Sequence, residues 1–237
     1  MQSPTLKTPV EKCVRLCRFT VRMLGKFADK PPLAAVAAKL EPAGGALESA
    51  QQGYAAAVTA LVPVRVDVRF ADWTSGRAVR AAHRAAETAD GQKGGRITTH
   101  LFPNGITPVV QGFGAAEVAE LLNLEGRYDA ATGFWPEAAT EKAKIAAVRK
   151  QYQDALGART TGMQQASNLR AARDVAKEDF LDAYGKAQAG VRGEFTRDRA
   201  MQELFFDRVW TESAVEDDGE GNDEEPGVGG GDPTPTA

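Results

Sequence analysis

One apolar register, over residues 33–89, constrains the fold of this chain more than any other feature. Apolar residues recur there at steps that alternate between three and four. The positions are Leu33, Val36, Leu40, Ala43, Leu47, Ala50, Tyr54, Ala57, Leu61, Val64, Val68, Ala71, Ser75, Ala78, Ala82, Ala85 and Ala89. This pattern predicts one or two long helices packed as in a coiled coil or a bundle. We expect a break near Pro42 and a kink near Pro63, since proline removes a backbone hydrogen bond.

A shorter pattern inside this register competes with it. Residues 64–70 alternate apolar and charged side chains, from Val64 to Phe70, as a half-buried strand would. We favour a helix because the longer register runs through this segment and the residues after it are rich in alanine, the strongest helix former. The strand stays the alternative interpretation.

Apolar periodicity predicts further helices on both sides of the register. A first amphipathic helix is expected over about 10–29, ended by Pro31 and Pro32. Another is expected over about 114–126, and helix again from Pro136 to about 211. The expected fold is therefore all-α, an antiparallel bundle of long, kinked helices. Residues 1–9 are expected to be flexible, and residues 10–212 to form a single domain.

The segment 91–113 lacks a helical period. It contains two prolines and five glycines, yet it also carries seven large apolar residues. A loop of this length in a compact domain is uncommon, and its apolar content indicates that it is ordered and packs on the bundle. His100, Phe102 and Asn104 make it a candidate site for a small molecule, against the simpler interpretation of a loop that covers a bundle end.

Charge is unevenly distributed along the chain. Residues 213–237 hold eight acidic residues and no Lys or Arg, so this tail carries −8 and the remaining chain +5. Its Gly, Pro and acidic composition predicts a disordered tail, since little apolar surface offsets the entropy of ordering.

The first helix carries a basic row made of Arg15, Arg18, Arg22 and Lys26. Such a row can contact nucleic acid or an anionic membrane, or it can simply be a solvated helix face. An acidic tail that folds back onto the row would shield it, so both features belong to one hypothesis.

Motifs for catalysis, cofactors and metals do not rise above background. Cys13 and Cys17 lie four residues apart on one helix face, and we interpret them as reduced, packed thiols. The two histidines, His83 and His100, do not complete a metal site with them. The first residues lack the pattern of a secretory signal, and no apolar run is long enough to span a bilayer, so a cytoplasmic protein is expected.

These observations favour a non-enzymatic interaction or structural protein, without a cofactor, whose partner is an unknown protein or a second copy. One alternative is a nucleic-acid-associated protein with an autoinhibitory acidic tail. Another is a small-molecule binder or enzyme that uses the 91–113 segment around His100.

Overall fold

The computed structural model describes residues 3–207, and all regular structure in this range is helical. The α-helices are α1 (Val10–Leu24), α2 (Pro31–Asp90), α3 (Arg96–Leu101), α4 (Thr107–Val110), α5 (Ala115–Ala131), α6 (Ala138–Glu194) and α7 (Arg199–Leu204). A short 3₁₀ helix, Gly25–Phe27, follows α1. The predicted all-α fold is thus confirmed, whereas residues 208–237, with the predicted disordered tail, lie outside the described residues.

The bundle is organised around α2 and α6, which pack antiparallel. Contacts along the pair run in opposite order: Lys30 binds Glu194, Gly190 lies against Val36, and Gly162 lies against Leu61. The 60 residues of α2 make a helix about 90 Å long at a rise of 1.5 Å per residue. The predicted register lies on the inner side of α2, since sixteen of its seventeen positions are buried or half-buried and Ala89 alone is exposed.

The prolines of α2 behave differently from expectation. The predicted break near Pro42 is wrong, since the helix continues through Pro42 and Pro63. Both prolines are exposed, so the carbonyl groups that lose a backbone partner can bind water instead. Pro31 and Pro32 open α2 at its first turn rather than closing α1, because proline fits the first helical positions, whose N–H groups have no helical partner.

Residues 64–70 are helical, as we favoured, and the alternation there has a structural explanation. Val68 is buried and Val64 half-buried on the side that faces α6, whereas Val66 and Phe70 point to solvent. A helix that is apolar on two faces can therefore imitate the period of a strand.

A third helix joins the pair at each end. At one end α1 and α7 pack against the start of α2 and the end of α6, around Leu16, Leu40, Phe180, Tyr184 and Phe206. At the other end α5, with α3 and α4, packs against the end of α2 and the start of α6. The expected long loop at 91–113 is corrected in one respect, since it contains α3 and α4.

Between the two ends, α2 and α6 pair without a third helix. We call this part, residues 52–67 and 157–175, the waist. Its only buried residues are Leu61 and Ala166.

Residues 3–9, which precede α1, form no helix but contact α6. Ser3 donates a hydrogen bond to Gln188 at 2.7 Å, and Lys177 donates one to the carbonyl of Leu6 at 2.7 Å. Pro4 and Thr8 are buried.

Candidate interaction surface

A second face of α2 runs alongside the face that binds α6, and α1 covers its first part. Cys17 of α1 packs on Gly44, Arg18 binds Glu48 at 2.6 Å, and Gln51 donates a hydrogen bond to Glu11 at 3.2 Å. Gly44, Glu48, Gln51 and Ala55 follow one another at steps of three or four, which places them on one helix face.

The same face continues beyond α1 as a row of large apolar side chains, which we call the apolar stripe. Its members are Val58, Val62, Val66, Phe70 and Trp73, exposed by 43%, 58%, 59%, 55% and 55%. The ring centroids of Phe70 and Trp73 lie 5.9 Å apart, so the two rings form one apolar surface. A continuous exposed stripe of this kind, unlike scattered surface residues, is typical of an interaction site.

Three arginines extend this face after Trp73, and we call them the arginine row. Arg77, Arg80 and Arg84 are all exposed, and they follow Trp73 at steps of four, three and four. The guanidinium of Arg77 stacks on the Trp73 ring at 4.7 Å, which joins the apolar stripe to the row. From the start to the end of α2, this face is thus first covered by α1, then exposed and apolar, and finally exposed and basic.

The predicted basic row on α1 lies on the surface. Arg15, Arg18, Arg22 and Lys26 are all exposed, and Arg18 binds Glu48. Arg15 and Arg18 line an open groove of about 560 Å³ between α1 and α2, together with Glu11 and Glu48. The groove lies where the apolar stripe meets the start of α1.

The three predicted loop residues do not converge on one site. His100 faces the Phe134 ring at 5.4 Å and the carbonyl of Arg127 at 3.1 Å, beside an open groove of about 550 Å³. Phe102 is buried against the His83 ring at 5.2 Å, and Asn104 is exposed. His100 alone borders the groove, because α3 sends Phe102 into the core.

A buried polar cluster connects α2, α5 and α6, and no sequence motif marks it. Glu117 is 1% exposed and accepts a short hydrogen bond from Ser75. Tyr152 donates to Asp72 at 3.3 Å and accepts from the backbone of Gly114 at 2.8 Å. Burial raises the pKa of Glu117 to about 7, and Asp72 beside it adds to the rise.

The carboxyl group of Glu117 lies in the packed interface of three helices. None of the grooves described above is lined by this residue. We therefore interpret the cluster as a polar contact that holds α5 in place.

Both cysteines are buried, free thiols, as predicted. Cys13 is 0% and Cys17 5% exposed. Burial raises the pKa of both thiols, that of Cys17 to about 11. A thiol with a raised pKa is a weak nucleophile at neutral pH, so we expect low reactivity.

Within residues 3–207, no group of three or more His, Cys, Asp or Glu side chains is arranged to hold a metal ion. None of the helices described is both long and apolar enough to cross a bilayer.

Comparisons of the chain with protein-family models, with curated proteins and with solved structures found no match.

Proposed function

We propose that this chain is a non-enzymatic interaction and structural protein of the cytoplasm that self-associates through the apolar stripe, with a second copy as the occupant. The observation that carries the proposal is the symmetry of the stripe and its flanks about Val66. A surface that is complementary to itself is what a two-fold dimer requires.

The symmetry becomes visible when two copies of α2 are paired antiparallel with the two-fold axis at Val66. Val62 of each copy then faces Phe70 of the other, and Val58 lies one residue from the position opposite Trp73. Each ring thus meets a smaller side chain, which lets the two helices interdigitate. Residues 55–77 span about 33 Å of helix, long enough for a continuous contact.

Charge favours the antiparallel arrangement over the parallel one. Parallel copies would place their two arginine rows side by side, and like charges in contact repel. Antiparallel copies bring Arg80 and Arg84 of one chain to the groove at the start of α1 in the other.

Sedimentation equilibrium of the full chain tests this proposal. We expect wild-type protein to form dimers and Val66→Glu to be monomeric, since the substitution places two carboxylates at the two-fold axis. Val175→Glu is the matched control, because Val175 is also 59% exposed but lies on α6, outside the apolar stripe. A monomeric wild type, or an equal effect of both substitutions, would contradict self-association through the stripe.

A second candidate function is binding to nucleic acid or another polyanion, supported by the exposure of the whole basic row on α1. The acidic tail would then compete for the row, and the tailless chain would bind DNA more tightly at low salt. Fluorescence anisotropy of both forms at two salt concentrations tests this, since such binding weakens steeply with salt. Equal and weak binding by both forms would contradict it.

We also propose three further features of this chain. They are a disordered tail at 213–237, a kink near Pro63, and a small-molecule site at the groove beside His100. Saturable thermal stabilisation by a metabolite, lost in His100→Ala, would support that site in place of a purely structural role.

A further inference from the structure

The C-terminal part of the described chain returns along α6 toward the waist. After α6 ends, Phe205 packs on Phe27 with a centroid distance of 4.9 Å, and Phe206 packs on Tyr184 at 5.7 Å. Tyr184 lies about ten residues before the end of α6, so the chain has reversed direction by Asp207. At Asp207, where the described residues end, the chain therefore lies beside α1 and runs toward the start of that helix.

The residues after Asp207 carry a dense negative charge. Residues 212–225 contain eight acidic residues and no basic one. Glu216 is nine residues beyond Asp207, a reach of at most about 30 Å in an extended chain. This length is sufficient to cross α1, which is a helix about 10 Å wide.

The antiparallel dimer places a matching positive surface at this point. With the two-fold axis at Val66, Arg80 and Arg84 of the second copy lie at the level of Gln52 and Glu48. Because α1 covers this face through the contacts of Glu48 with Arg18 and of Gln51 with Glu11, the two arginines lie beside α1. The arginine row of the second copy therefore lies at the level of α1, which carries its own exposed basic row.

We propose that the acidic segment 212–225 of each chain binds across the dimer, to the arginine row of the second copy beside its own α1. This inference rests on the proposed self-association. The tail then helps to hold the dimer together. The four residues of the basic row on α1 of one chain and the three residues of the arginine row of the other surround one acidic segment. Neither chain alone offers both rows at this place, since its own arginine row lies at the far side of the waist.

Cross-linking between two versions of the full chain tests the inference. One version is affinity-tagged and carries Asp218→Cys, and the other is untagged and carries Arg84→Cys. The native thiols do not interfere, because both are buried. With a short bismaleimide we expect a mixed adduct at low salt, and at least a roughly five-fold lower yield in 0.5 M salt, where screening is strong.

The matched control is Arg192→Cys in the untagged chain. Arg192 is exposed, but the dimer places it far from the tail of the other copy. We expect the Arg84→Cys adduct to exceed this control by about five-fold or more, since acidic and basic segments attract only at short range in salt. Equal yields would overturn the inference.

Two other results separate this inference from the proposal on which it rests. Sedimentation of the same mixture as dimers, without the mixed adduct, would overturn the role of the tail and leave self-association intact. A chain with both Asp218→Cys and Arg15→Cys that closes on itself, while the mixed adduct fails, would show that the tail binds only its own α1. Monomeric sedimentation would contradict both proposals.

Discussion

The two ends and the waist of the α2–α6 pair differ in how many side chains they bury and in whether a third helix covers them. At each end a third helix covers α2 and α6, and large side chains such as Leu40 and Phe180 are fully buried. At the waist two helices pair alone, and Leu61 and Ala166 are the only buried residues. The difference is what the proposed self-association explains, since the face that α1 covers at one end continues at the waist as an exposed apolar stripe.

The largest expected difference between the regions is in the cost of removing a core leucine. Leu40→Ala should reduce the free energy of unfolding by about 3–5 kcal/mol, because the three-helix end cannot collapse around the cavity. Leu61→Ala should cost about 1–2 kcal/mol, since solvent and mobile neighbours can fill the space. Urea denaturation of both variants measures this. Equal losses would mean that the waist is as well packed as the ends.

The polar cluster of the α5 end predicts a pH dependence that the waist lacks. The unfolded chain releases the Glu117 proton near pH 4.5, whereas the folded chain holds it until about pH 7. Folded protein binds more protons across this window, so the free energy of unfolding should fall as pH rises, by on the order of 2 kcal/mol.

Denaturation curves of wild type and Glu117→Gln between pH 4.5 and 7 check this. The variant should lose the pH dependence, because its amide does not titrate. Glu178→Gln, at an exposed position of α6, is the control and should retain it. A wild type whose stability rises through this window would contradict the buried, protonated state of Glu117.

Two glycine-to-alanine substitutions compare the packing of the α1 end and the waist, with smaller expected changes in stability. Gly44→Ala should destabilise the α1 end by about 1–2 kcal/mol, since the new methyl group would overlap Cys17. Gly157→Ala should stabilise the waist by about 0.5–1 kcal/mol, because nothing lies within 4 Å of the added carbon and alanine favours helix. Thermal melts of the two variants should shift in opposite directions, and shifts of the same sign would show that packing does not distinguish the regions.

Sequence periodicity predicted the all-α fold and the face of α2 that binds α6, because a buried face imposes its spacing on the residues. The alternation at residues 64–70 also reflects the apolar stripe. Val66 and Phe70 produced the strand-like alternation at 64–70, which a two-sided helix explains.

Other features could not be predicted from spacing. Glu117 and Ser75 meet across 42 residues, and no local pattern marks a contact between helices. His100 and Phe102 are neighbours in sequence, yet α3 directs their side chains to different surroundings. The break expected at Pro42 does not form because Pro42 is exposed, so the carbonyl that loses its backbone partner can bind water.

Hydrogen exchange of the full chain at two protein concentrations, about a hundred-fold apart, tests the central claim most directly. At the lower concentration, amides of residues 55–67 should exchange faster than those of residues 33–47, because few buried contacts hold the waist closed. At the higher concentration the second copy should protect residues 55–73 and leave residues 33–47 unchanged. Exchange at the waist that does not depend on concentration would contradict the claim that a second copy covers the apolar stripe.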